Sequence, residues 1–281
     1  MSMPLLSPAA TMVRRLDPDL FHAALFAPEP ARERLMVLYA YDIELSRAAA
    51  RAAEPLIAAM RLQWWRDVVA GAGAGTTSGE AARGHEVAEP LHGLLIAHAL
   101  PADDLERLIE ARELELQGPM DQHRFGDWLD ARFGALTRLA AHLLVGENAA
   151  ARRAASAVGH AMGVAFALRT AAAMAAEANL YFMPGLAPED RAELARGRTT
   201  EHARATAHRL ADQALALLAA ARAERRAVPK RAAPALLPVW RAERVLRRAR
   251  RLDLDLARDL AAPGQGGRGV ALAWRALRGR W

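Results

Sequence analysis

Apolar residues recur along this chain at the spacing of one helix face, and no stretch of useful length alternates as a half-buried strand requires. Leu35, Leu38, Tyr39, Asp42 and Leu45 follow one another in this way. So do Leu56, Met60, Leu62, Trp64 and Trp65, and later Phe125, Trp128, Leu129, Phe133, Leu136 and Leu139. Alanine, the strongest helix former, is abundant and loses no side-chain entropy on folding. Hydrophobic residues at 53% of 281 supply a sizeable core, which excludes a disordered chain. No fixed-period repeat and no shift in charge or composition divides the sequence. The pattern predicts one all-α domain of about eight to ten helices.

Punctuation places the elements. Asp17-Pro18-Asp19 opens a helix with an acidic cap and an early proline, and Ala27-Pro28-Glu29-Pro30 breaks the chain. Glu54-Pro55 starts the helix carrying Trp64 and Trp65. A short apolar helix spans Glu89 to Ala99, Asp103 is read as the cap of Asp104 to Gln117, and one long helix is expected over His123 to Leu144. Asn148 caps the most apolar segment, which runs to about Ala178, and Gly159 and Gly163, one turn apart there, would admit a close neighbour. Asn179 to Pro188 reads as irregular, Thr200 to Arg226 as a long helix, and Val270 to Leu277 as a last one. Residues 1–16 are expected to be flexible, and 71–86 and 262–269 to be loops, within one domain spanning 1–281.

The chain has no cysteine, which removes disulfides, thiolate metal sites and a cysteine nucleophile. Residues 1–11 are apolar, but Arg14 and Arg15 follow them, the reverse of a secretion signal. Ala161 to Ala176, the best candidate membrane span, is interrupted by Arg169. A cytoplasmic protein is therefore expected, with peripheral contact at the inner membrane left open. The net charge of +6 is almost wholly arginine, Lys230 being the one lysine. Arginine suits bidentate phosphate binding, although GC-rich coding produces the same bias. The strongest basic run, Arg241 to Arg251, could meet phosphate. It reads as an amphipathic helix without aromatic residues for base stacking, so nucleic acid is not an expected partner.

Candidate metal chemistry is sparse. Asp42 and Glu44, like Asp253 and Asp255, are spaced i, i+2 and lie on different helix faces. Asp127 and Asp130, at i, i+3, could converge, but a solvated helix face is the favoured reading. The histidine pairs His92/His98 and His202/His208 lack metal-ligand spacing, and His160 suits a core position. No phosphate loop or nucleophile elbow is present.

Two ordered stretches carry a family resemblance. The first is Leu38-Tyr39-Ala40-Tyr41-Asp42-Ile43-Glu44-Leu45-Ser46-Arg47, followed by Arg61-Leu62-Gln63-Trp64-Trp65-Arg66-Asp67. The second is Gly163-Val164-Ala165-Phe166-Ala167-Leu168-Arg169, leading to Leu180-Tyr181-Phe182-Met183-Pro184. Together with Asp17-Pro18-Asp19-Leu20-Phe21 they resemble, in order and spacing, the signatures of the squalene/phytoene synthase family. The resemblance implies an isoprenoid-synthase-like helical bundle. In catalytic members two aspartate-rich motifs face each other and hold Mg²⁺ against prenyl diphosphates.

Laid on those motifs, this sequence has Ser46, Arg47 and Ala50 at the first and Thr170, Ala173 and Met174 at the second. Arg169 survives; the carboxylates do not. Ionising an allylic diphosphate needs divalent cations held by several oxygen ligands, so the resemblance implies a protein without catalytic residues or a metal. Glu54-Pro55, Val228-Pro229-Lys230, Pro234-Ala235-Leu236-Leu237-Pro238 and Asp253-Leu254-Asp255 point to one branch. They resemble the mitochondrial respiratory complex I assembly factor with a squalene/phytoene synthase-like domain, and its bacterial relatives. Partners implied are complex I subunits or assembly intermediates, with a prenyl or lipid ligand. Tyr39, Arg61, Trp64, Trp65, Arg169 and Tyr181 are the pocket candidates, the aromatic ones serving equally well as core. The alternatives are an active prenyltransferase using Mg²⁺ to condense prenyl diphosphates, and a basic module for a membrane surface or nucleic acid.

Overall fold

A computed structural model describes residues 6–50, 55–73, 82–118, 120–178, 183–260 and 281. Among these there is no strand. The helices are α1 (Pro8–Leu16), α2 (Pro18–Ala24), α3 (Ala31–Ala50), α4 (Pro55–Gly73), α5 (Ala88–His98), α6 (Ala102–Leu116), α7 (Gln122–Leu129), α8 (Ala135–Val145), α9 (Ala149–Ala178), α10 (Pro188–Ala195), α11 (Glu201–Ala223), α12 (Ala233–Leu236) and α13 (Val239–Ala249). A single π-helical turn, Asp130–Gly134, joins α7 to α8.

Capping side chains set several of these starts. Asp17 accepts from the Leu20 amide at 3.1 Å and Asn148 from Ala151 at 2.9 Å, each satisfying a donor the helix cannot pair itself. Thr200 does the same for α11 at 3.1 Å.

Four expectations need correction. Residues 8–16, expected to be flexible, form α1: Ser7 caps it, Pro8 fits its first turn, and Ala9, Ala10 and Val13 are buried against the bundle. Asp103 is not a cap. Pro101 holds that position, and Asp103 lies in the first turn of α6, where its charge complements the helix dipole. The long helix expected over His123 to Leu144 begins at Gln122, capped by Asp121, and is interrupted by the π-turn. Of the loops, 71–73 continue α4, residues 82–87 are turns around buried Ala82 and Val87, and 262–269 lie outside the described residues, as does the helix expected at Val270 to Leu277.

Helix α9 is the centre of the bundle, packed against α8, α10, α11, α13 and the π-turn. By length and composition Ala149–Ala176 could span a membrane, yet half of its most apolar window is buried against the neighbouring helices. Gly159 explains the closeness. A Cβ there would strike the Phe133 carbonyl and come within 2.7 Å of the Gly134 Cα. A Cβ on Gly163 would meet Leu129 at 2.5 Å and Phe133 at 2.7 Å. The two glycines thus let the backbone of α9 lie against the π-turn.

Candidate functional site

The signature positions lie near the C-terminal ends of α3 and α9. Ser46 turns its hydroxyl back to donate to the Asp42 carbonyl at 3.0 Å, and Thr170 does the same to the Phe166 carbonyl at 2.8 Å. Such back-bonding is how a hydroxyl within a helix satisfies itself. Arg47 is hydrogen-bonded at 2.5 Å to Glu44, one turn before it. Ala50 closes α3, Ala173 is exposed, and Met174 packs half-buried on the core. Hydroxyl, guanidinium, methyl and thioether groups do not make the hard-oxygen cage that Mg²⁺ needs. Among the described residues, no three acidic or histidine side chains converge to hold a metal ion.

One turn nearer the N-terminus of each helix, a buried chain of contacts joins α3 to α9. Arg112, with no exposed side-chain surface, donates to Asp42 at 2.6 Å and to Glu115 at 3.1 Å. The same Glu115 oxygen accepts from the Trp128 indole at 2.9 Å and from Arg132 at 2.6 Å. Arg132 then rests over the Phe166 ring, 4.5 Å from its centroid, and over Phe133 at 5.0 Å. Asp42–Arg112–Glu115–Arg132 is thus a neutral set of two acids and two bases ending in a cation–π contact. Burial alone would raise the Glu115 pKa, but Arg132, Arg112 and the Trp128 N–H outweigh it and hold the carboxyl below its usual range. Burial depresses the Arg132 pKa, and the neighbouring Arg112 charge adds to that.

Two cavities are lined by residues of the signature helices. The smaller, about 110 Å³, is lined by Asp17, Asp19, Arg169 and Arg241 above an apolar floor that includes Met162, Phe166 and Val245. Burial raises the Asp17 carboxyl above its ordinary value, against the pull of its cap hydrogen bond and the Arg241 and Arg169 charges. Arg241 is ion-paired with Asp19. The larger cavity, about 370 Å³, lies between α3 and α4 and is lined by Glu44, Arg47, Ala48, Arg61, Trp64, Trp65 and His85. Its aromatic wall is a cluster, with ring centroids 4.8 Å apart for Trp64–Trp65, 5.3 Å for Trp64–His85 and 5.4 Å for Trp65–His85.

The pocket candidates therefore separate. Arg61, Trp64 and Trp65 meet in the larger cavity and Arg169 lines the smaller, while Tyr39 is a core residue, 1% exposed, and lines neither. Tyr181 lies outside the described residues. Sequence reading missed Asp17, Asp19, Arg241 and His85 as lining residues, and Arg112, Glu115 and Arg132 as the bridge. The i, i+3 spacing of Arg112 and Glu115 was the one visible signal.

The remaining candidates are engaged. Asp130 binds Arg138 at 2.5 Å and Arg107 at 3.0 Å, whereas Asp127 pairs with His123, so the two acids do not converge. The run Arg241 to Arg251 lies mostly on α13, as its amphipathic pattern implies. Arg247 pairs with Glu243, Arg248 with Asp259, Arg250 with Asp212 and Arg251 with Asp253, and Arg244 lies over Trp240.

The squalene/phytoene synthase family model matches residues 13–268. The chain belongs to that family. Its sequence is also similar to NADH dehydrogenase (ubiquinone) complex I, assembly factor 6. The Mus musculus protein is 26% identical over 254 residues, covering 87% of this chain and 74% of that protein, and the Homo sapiens protein is 23% identical over 253 residues with the same coverage. Two solved structures share the fold. The squalene synthase HpnC from Alicyclobacillus acidocaldarius aligns over 85% of this chain and 90% of its own, with a TM-score of 0.72 at 20% identity. A dehydrosqualene synthase in complex with ligand aligns over 96% and 94%, with a TM-score of 0.78 at 14% identity. The family bundle is thus present.

Proposed function

We propose that this chain is a non-catalytic squalene/phytoene synthase-like protein that assists assembly of respiratory complex I. The observation that carries the first half is the pair of hydroxyls at Ser46 and Thr170, each bonded into its own helix. With Arg47, Ala173 and Met174 beside them, these positions offer no set of oxygen ligands for the cations that would neutralise a departing diphosphate. The second half is supported by the similarity to complex I assembly factor 6, which extends over 87% of the chain. A prenyl or other lipid ligand in the cavity between α3 and α4, and a cytoplasmic location with contact at the inner membrane, belong to the same proposal.

A deletion strain assayed for complex I activity and polyprenyl products together is the test. Loss of complex I activity with unchanged polyprenyl products is the expected result. The purified protein incubated with farnesyl or geranylgeranyl diphosphate and Mg²⁺ should release no pyrophosphate, and release at an enzymatic rate would overturn the reading in favour of a prenyltransferase.

A further inference from the structure

The first turns of α4 are apolar on the outside. Leu56 is 69% exposed, Met60 66% and Ile57 40%, unusual values for large hydrophobic side chains grouped on one short stretch. Helical spacing continues this face into a different chemistry. Arg61 stands four residues after Ile57, and Trp64 four after Met60. Arg61 is exposed and has no ion-pair partner among the described residues, and Trp64 is half-buried where the face meets the larger cavity. His85 completes that wall. Its Nδ1 accepts from the Val87 and Ala88 amides at 3.2 and 3.1 Å, so the ring proton resides on Nε2, a further donor.

We propose that this end of α4 is a docking surface for an anionic phospholipid bilayer. Leu56, Ile57 and Met60 enter the acyl boundary, Trp64 sits at headgroup depth, and Arg61 meets lipid phosphate at the mouth of the cavity. An apolar tip bordered by a cation with no ion-pair partner among the described residues and by a half-buried tryptophan supplies the side chains that hydrocarbon, phosphate and interface each favour. The overall charge of +6 adds long-range attraction to an anionic leaflet. The surface is distinct from the arginine-rich Arg241 to Arg251 segment, where Arg247, Arg248, Arg250 and Arg251 are each matched by a carboxylate. It stands whether or not the chain serves complex I assembly, because it needs neither a prenyl ligand nor a protein partner.

Flotation of the purified protein on phosphatidylcholine vesicles, with and without phosphatidylglycerol, tests this. The wild type should partition onto the anionic vesicles, more weakly as salt is raised. Leu56→Ser together with Met60→Ser should lower partitioning at least about tenfold, from the apolar surface that no longer enters the bilayer. Arg61→Gln should lower it about fivefold. Arg250→Gln with Arg251→Gln, which removes net charge but no bilayer contact, should lower it less than Arg61→Gln does. All these positions are exposed, and circular dichroism would verify that each variant is folded. Absence of wild-type binding, equal binding to phosphatidylcholine alone, or binding that survives the Leu56/Met60 change would overturn the proposal. So would loss confined to the Arg250/Arg251 variant. If the Leu56/Met60 variant lost only a protein partner while the wild type ignored vesicles, the face would be a protein interface and the proposal wrong.

Discussion

Arg112 donates a 2.6 Å hydrogen bond to Asp42 from a position with no exposed side-chain surface, tying α6 to the helix of the first signature. Removing one partner of a buried pair leaves the other charge uncompensated, which costs about 3–5 kcal/mol. Arg112→Met, which keeps most of the volume, should therefore lose stability in that range, because it abandons both Asp42 and Glu115. Asp42→Asn should cost less, about 1.5–3 kcal/mol, since the amide oxygen still accepts from Arg112. Urea unfolding of the two variants measures the difference, and equal losses would refute the bridge as drawn.

At Gly159 the obstacle to a side chain is backbone, the Phe133 carbonyl and the Gly134 Cα, whereas at Gly163 it is the side chains of Leu129 and Phe133. Side chains shift more cheaply than backbone. Gly163→Ala should cost about 1–3 kcal/mol, the usual range for overpacking, and Gly159→Ala more. Thermal unfolding would show the order, and the reverse order would mean that α9 does not rest on the π-turn.

Glu243 gives the acid limb of the stability curve a definite shape. Burial would push its carboxyl up, but hydrogen bonds from Arg222 and Arg247 win and hold it at about 2, from an ordinary 4.5. The folded state thus binds its proton less readily than the unfolded chain. The stabilisation is full above about pH 4.5 and disappears as the pH falls toward 2, amounting to roughly 3 kcal/mol. Glu243→Gln should flatten that part of the stability–pH profile and cost most near neutrality. An acid limb unchanged by the substitution would argue against the Arg222–Glu243–Arg247 cluster.

Much of the fold was legible because helix periodicity and caps are local. Asp17-Pro18 and Asn148 were readable as starts, and Gly159 with Gly163 as a place of close approach. The Ser7-Pro8 start of α1 was just as local, but Ala9 and Ala10 are too small to advertise a buried face. The site was less legible because it is built from long-range pairs. Asp42 and Arg112 are 70 residues apart, and periodicity says which face of a helix is buried without saying which helix covers it. The absence of carboxylates at Ser46 and Thr170 could be seen in the sequence, but not the return of their hydroxyls into the helix backbone. Nor could spacing reveal that Arg61, Trp64 and Trp65 share one cavity while Arg169 lines another.

The behaviour of Mg²⁺ follows from those hydroxyls. A Ser or Thr oxygen already donating into a helix is a poor neutral ligand, and hard divalent cations are held chiefly by carboxylates. Arg47, fixed to Glu44 at 2.5 Å, puts a guanidinium rather than an oxygen ligand at the first signature. A ligand bound at 100 times its dissociation constant would stabilise the fold by about 2.7 kcal/mol, and for a domain of this size each kcal/mol is worth about 2–4 °C in Tm. Millimolar Mg²⁺ should therefore leave Tm where an equal ionic strength of NaCl leaves it, and EDTA should have no effect. A Mg²⁺-specific rise of several degrees would require an oxygen cage at the signatures and would reopen the case for metal-dependent prenyl transfer.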